Sequence, residues 1–134
     1  MKVFSYKDMK GWWFIVDFEP SALRTKEFEA GYAKHKKNDP WDKHYHKIAN
    51  EITLVVKGKV KIDNTIFSKG DIFLIEPNEV VDPEFLEDVE FMIIKTPSDV
   101  NDKYIIKKWN KFLLIVHWWI PKNIHLKEYL ILQN

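Results

Sequence analysis

The 134-residue chain contains no cysteine. That removes disulfides, thiolate nucleophiles, iron–sulfur clusters and zinc knuckles together, and with them any cysteine-based argument for secretion. An excess of one charge is missing too. With 21 basic against 20 acidic residues and a formal charge of +1, no net field favours nucleic acid or an anionic membrane. Long apolar runs are absent as well. The longest, residues 112–120, is interrupted by His117 and is far shorter than a bilayer span. The N-terminal stretch MKVFSYKDMKGWW lacks the apolar segment and small-residue cleavage site of a signal peptide. The expectation is a soluble, cytoplasmic protein with neither nucleic-acid nor membrane partners.

Large rings are plentiful instead. Aromatics make up 15% of the chain, including six Trp and nine Phe, which suits the inside of a barrel or sandwich. The length fits one domain with a real core. Short strands broken by turn chemistry are expected at residues 12–18, 27–34, 52–56, 59–62, 72–75 and 89–95. Asn38-Asp39-Pro40, Lys57-Gly58, Asp63-Asn64, Ser68-Lys69-Gly70-Asp71 and Pro77-Asn78 supply the turns. Roughly seven to nine such strands, with no strand–helix alternation, argue for an all-β fold. The end of the chain differs. Residues 105–134 are dense in Trp, Leu and Ile, with a strand-like run at 112–120 and a helical stripe after Pro121. This C-terminal apolar extension is expected to pack on the sheet or at a dimer contact.

The most informative run is HYHKIANEITLVVKG, residues 44–58. Alternate residues of a strand share a face, so His44 and His46 can aim two imidazoles into one cavity while Tyr45 faces away. The odd separation from His46 to Glu51 requires a bend or bulge within Lys47-Ile48-Ala49-Asn50 to bring the carboxylate to the same side. Two neutral nitrogens and one anionic oxygen are a facial ligand set for a first-row divalent metal. A charged Glu51 at the start of a half-buried strand would need a cation or a donor. Tyr32 and Tyr45 are candidate site-wall residues that could offer a hydroxyl to substrate, and Trp41 is a candidate lid. Tyr32 falls on the inward face of its strand if Phe28 does. His35, His117 and His125 have no spaced partner and read as structural.

His44-x-His46-x4-Glu51-x6-Gly58 resembles the first cupin motif, and Gly70-Asp71-Ile72-Phe73-Leu74-Ile75-Glu76-Pro77 resembles the start of the second. The resemblance covers about residues 25–96. Gly11-Trp12-Trp13-Phe14 before it, and Lys95-Thr96-Pro97-Ser98 after it, resemble an uncharacterised bacterial and phage subgroup. The fold implied is a double-stranded β-helix, or jelly roll, with N-terminal strands at 1–24, the cupin barrel at 25–104 and the extension at 105–134. The resemblance implies one divalent metal (Fe2+, Mn2+, Ni2+ or Zn2+) inside the barrel mouth, and a homodimer. The second motif usually ends in a histidine, the fourth metal ligand, and Asp82 stands in its place here. Asp82 is then a carboxylate ligand, or the site has three ligands and a water, or the metal is weakly held or lost. If not a ligand, Asp82 is a candidate acid or base beside the metal.

Three functions stay open: a metal-dependent enzyme on a small molecule, a non-catalytic small-ligand binder, and a metal-independent sugar-nucleotide isomerase or epimerase using the same histidines. Fold alone does not choose among them.

Overall fold

The computed structural model describes residues 1–107. The expected strand at 112–120 and the helical stripe beyond it lie outside the described residues. Among the described residues, ten strands follow one 3-10 turn at Tyr6–Asp8: β1 (Trp13–Ile15), β2 (Glu29–His35), β3 (His44–Tyr45), β4 (Asn50–Lys57), β5 (Lys59–Ile62), β6 (Thr65–Ser68), β7 (Ile72–Ile75), β8 (Pro83–Phe85), β9 (Val89–Thr96) and β10 (Tyr104–Ile105). The strands form a five-stranded sheet in the order β1-β2-β9-β4-β7, a three-stranded sheet β6-β5-β8 and a ribbon β10-β3. Every named strand pair is antiparallel. The late strand β9 is inserted between β2 and β4, which is why the core depends on pairings distant in sequence.

Strands β5 and β7 match the expected spans residue for residue, and β2, β4 and β9 differ from them by one or two residues at their ends. The short strands β3, β8 and β10 carry too few residues to show a period and are set by their neighbours instead. Gly58 closes the tight β4–β5 turn at φ +82°, where a Cβ would stand 2.1 Å from the Asp88 carbonyl oxygen. Only glycine satisfies both demands. At Gly31, mid-β2, a Cβ would come within 2.7 Å of the Trp13 ring, so this glycine lets the indoles lie against the sheet.

The inner faces of β2, β9 and β4 run from apolar to polar. Ala33, Phe91 and Val55 form one row and belong to the core with Val60, Phe85, Val89 and Ile93. Two residues along each strand lie Gly31, Ile93 and Thr53, and two further lie Glu29, Lys95 and Glu51. The core therefore fills one end of the barrel and charged groups line the other. Phe85 stacks on His35 with ring centres 4.3 Å apart and planes 9° from parallel. Tyr32 is on the opposite face from this inner set. Its hydroxyl bonds Glu90 at 3.3 Å and its ring meets Tyr6 edge-on. The inward set of β2 is Glu29, Ala33 and His35 rather than Phe28, Ala30 and Tyr32. Among the described residues no helix is long and apolar enough to cross a membrane.

Candidate functional site

His44 and His46 enter the barrel from β3, which is held on both sides. His44 exchanges two backbone hydrogen bonds with Val81, at 3.0 and 2.8 Å, and its other edge pairs with Ile105 of β10. Past His46 the chain bends at Lys47 and Ile48 before β4 begins at Asn50. The bend falls where the parity argument requires one, and Asp102 makes it. Its carboxylate accepts from the backbone N–H groups of Lys47, Ile48 and Ala49 at 2.8, 3.0 and 2.8 Å. Burial pushes the Asp102 carboxyl up, but these three donors outweigh it and hold the group below its ordinary value. The result puts Glu51 beside the histidines.

Backbone carbonyls fix the orientation of both imidazoles. His44 Nδ1 lies 2.8 Å from the Asp42 oxygen, and His46 Nδ1 lies 3.0 Å from the Asp102 oxygen. A carbonyl only accepts, so each Nδ1 carries the proton and each Nε2 presents a lone pair. Burial lowers the pKa of both rings, His46 to about 4, with Lys95 the next cause for His46. Both are neutral at pH 7. His46 Nε2 lies 3.3 Å from Glu51 Oε2, a contact that would be an ion pair only with a charged ring. A lone pair thus faces a carboxylate oxygen in a desolvated site. Such a contact calls for a proton or a cation between the two atoms. Burial raises the Glu51 pKa, while Lys95 and Lys103 pull it back.

Lys95 lies in the same cross-strand row as two carboxylates, Glu29 on one side and Glu51 on the other. It is buried and pairs with Glu29 Oε2 at 3.1 Å, and Glu29 Oε1 accepts from Ser98 at 3.2 Å. These groups line a cavity of about 250 Å3 whose opposite walls include Trp12, Trp13, Trp41, Phe73 and Phe91. Lys103 lies at its edge with the ammonium 4.5 Å above the Trp41 ring. Desolvation lowers the Lys103 pKa, against the opposing pull of Glu51 and Asp42.

His44, His46, Glu51 and Trp41 share the cavity. Asp82, Tyr32 and Tyr45 do not line it. Val81 and Pro83 do, and Asp82 between them projects to the other side of the strand. Val81, across from His44, takes the inward place on this wall. Tyr45 stacks on Tyr104 with centres 5.3 Å apart. Glu29, Lys95, Asp102 and Lys103 were not among the expected site residues. For Lys95 a signal was available: the period-two run of residues 89–95 puts it on the face of Phe91 and Ile93.

The donor chemistry suits a divalent ion in part. Two ligands bound at about 2.1 Å in tetrahedral or octahedral geometry stand roughly 3.0–3.4 Å apart, and the His46–Glu51 contact at 3.3 Å falls in that range. Among the described residues, however, no three His, Cys, Asp or Glu side chains are gathered closely enough to form a ready cage. His44 has the right orientation, but the ring centres of His44 and His46 are 5.5 Å apart.

No family model and no curated protein matches this sequence. Solved structures do. An uncharacterised conserved protein with a double-stranded β-helix domain from Klebsiella pneumoniae superposes with a TM-score of 0.57 at 17% identity, over 64% of this chain and 75% of that one. The DMSP lyase DddQ from Ruegeria pomeroyi gives 0.56 at 12% identity, over 70% of this chain and 49% of that one. KdgF from Halomonas sp. gives 0.52 at 22% identity, over 57% and 74%. At these identities the likeness is one of fold. The chain has a double-stranded β-helix fold.

Proposed function

We propose that the cavity is a metal-assisted small-molecule site in which His44, His46 and Glu51 hold one divalent cation. The observation that carries this reading is the pair of imidazoles locked with their Nε2 atoms toward the cavity. Both Nδ1 atoms are tied to carbonyls, so the Nε2 lone pairs are offered to the cavity, one of them 3.3 Å from a carboxylate. Ligating histidines are held in the same way by hydrogen bonds at their second nitrogen. When bound, the cation supplies Lewis acidity toward a carbonyl or enediolate oxygen. The chain's own groups do the rest. Lys95, fixed by Glu29, lends positive potential to the Glu51 end, and the Trp and Phe walls exclude water from the ligand. We propose the protein is an enzyme on a small organic substrate, and that it pairs with a second copy of itself.

A second reading rests on the raised Glu51 pKa. A proton shared by Glu51 and His46 satisfies the same contact without metal and would suit proton transfer in an isomerase or epimerase. Elemental analysis of untagged protein, purified without chelator beside a His44→Ala/His46→Ala variant, separates the two. Near-stoichiometric Fe, Mn, Ni or Zn that is lost in the variant is the expected result. No metal in either folded protein overturns the metal reading and leaves the proton-transfer one.

A further inference from the structure

His35 is a buried polar side chain that the proposed site does not use. It ends β2 on the same face as Glu29 but at the opposite end of the strand, so it stands at the apolar end of the cavity it lines. Aromatic rings enclose it. Phe85 stacks on one face, and Trp41, Trp12 and Phe91 have ring centres 4.7, 5.4 and 6.2 Å away. The residue is 9% exposed, and burial lowers its pKa against the pull of Asp39. The ring is therefore neutral at pH 7, with one N–H donor and one lone pair. His44 and His46 each commit a ring nitrogen to a backbone carbonyl. His35 commits neither, since among the described residues no hydrogen bond or ion pair reaches its ring.

Its nitrogens are not sealed in the core either. Among the described residues, the fully enclosed polar side-chain atoms without a partner belong to Trp12 and Ser21. The His35 nitrogens therefore touch open space, and the space beside this ring is the cavity. A phenyl ring in the same slot would keep every aromatic contact without the desolvation cost of two unpartnered nitrogens. The fold gains nothing from a polar ring here, so its use lies with what enters the cavity.

We propose that His35 is a ligand-contacting residue, and that the cavity takes a small molecule presenting a neutral hydroxyl group at its apolar end. The hydroxyl shares a hydrogen bond with the free edge of the imidazole, and a flat or apolar body lies along the Trp and Phe walls. A neutral imidazole offers a carboxylate no charge to offset its desolvation, which is why a hydroxyl fits this end better than an ion. The assignment goes beyond the proposed function by placing a second polar contact away from His44, His46 and Glu51. It rests on the cavity being a ligand site and not on a metal being bound.

The test is calorimetric titration of phenol and toluene, which differ by a hydroxyl in place of a methyl group, into wild-type protein, His35→Phe and the His44→Ala/His46→Ala variant. The ratio of the two affinities is what is read, since toluene is the more apolar probe. That ratio should favour phenol at least about fivefold more in wild type than in His35→Phe, the worth of one neutral hydrogen bond. The histidine double variant should keep the wild-type ratio, which separates this contact from the proposed metal centre. In nitrogen NMR spectra the His35 ring signals, assigned by their loss in His35→Phe, should shift with phenol and not with toluene. Urea denaturation of His35→Phe should give a midpoint no lower than that of wild type. A ratio unchanged in His35→Phe, or no phenol binding, would mean that the ring meets only water and would overturn the proposal. So would a clearly lower midpoint in His35→Phe, since the fold itself would then hold the nitrogens. A ratio lost only with His44 and His46 would overturn it too, because the hydroxyl would then sit at the other end.

Discussion

Asp102 is the residue whose loss should be felt most for its size. Its carboxylate is 1% exposed and accepts three successive backbone N–H groups at 2.8–3.0 Å. Asp102→Ala leaves one buried and two part-buried donors without that acceptor, at about 1–3 kcal/mol each before relaxation and nearer the lower figure where water can reach. Taking the lower half of that range, the variant should lose about 4 kcal/mol. At roughly 4 °C per kcal/mol for a chain of this length, Tm should fall by about 15 °C. Asp102→Asn keeps one acceptor oxygen and should lose about half as much. The assay is urea denaturation followed by tryptophan fluorescence, with far-UV circular dichroism as a second probe. The pH dependence supplies an internal check. The folded carboxyl titrates below its ordinary value, so its contribution is fully present above about pH 4 and is lost as pH falls through the lowered pKa. The gap between wild type and Asp102→Asn should therefore narrow in acid. A loss under about 1 kcal/mol in Asp102→Ala, or a gap that does not change with pH, would refute the reasoning.

Other perturbations follow from the same geometry. His46 has a folded pKa of about 4 against an ordinary 6.5, so the unfolded chain takes up a proton first. Stability should drop by about 3 kcal/mol as pH falls from 6.5 to 4, and His46→Gln should flatten that slope in denaturation curves. Gly58→Ala forces a Cβ to 2.1 Å from the Asp88 oxygen at a positive φ and should cost at least about 2 kcal/mol by the same assay. Val81→His adds a third imidazole to the cavity wall and should tighten metal retention at least about tenfold in chelator competition, whereas Asp82→His should not. The opposite order would mean that the strand register, or the metal reading, is wrong. The outer face of the five-stranded sheet exposes Ile52, Ile72, Leu74 and Ile94. If the proposed dimer uses it, Ile72→Lys should halve the mass measured by light scattering.

What was legible in the sequence was local. His44, His46 and Glu51 lie within eight residues of one another, and strand parity alone located the bend between them. The groups that complete the cavity lie on other strands. Glu29 and Lys95 meet only because β9 pairs with β2, and Asp102 reaches a bend more than fifty residues earlier. No spacing rule contains those pairings. Tyr32 was expected inward only if Phe28 was, and the face it takes is instructive. The rule that apolar residues point inward holds for a core, but β2 turns Glu29 and His35 toward a cavity and leaves Tyr32 outside. Asp82 shows the sensitivity of motif counting. A shift of one residue exchanges the two faces of a strand, and the inward place falls to Val81.

The insertion of β9 between β2 and β4 has a consequence for the birth of the protein on the ribosome. Strands β2 and β4 are synthesised first, yet each lacks its main neighbour until residues 89–96 have emerged, and closing that sheet is a long-range step. Until then both present open edges that another chain can pair with. Lys95, Asp102 and Lys103 also come late, so the five-stranded sheet and these cavity groups emerge within the same interval. Chaperone dependence should therefore concentrate in that window, and a nascent chain stalled before β9 should carry an exposed sheet edge and no site.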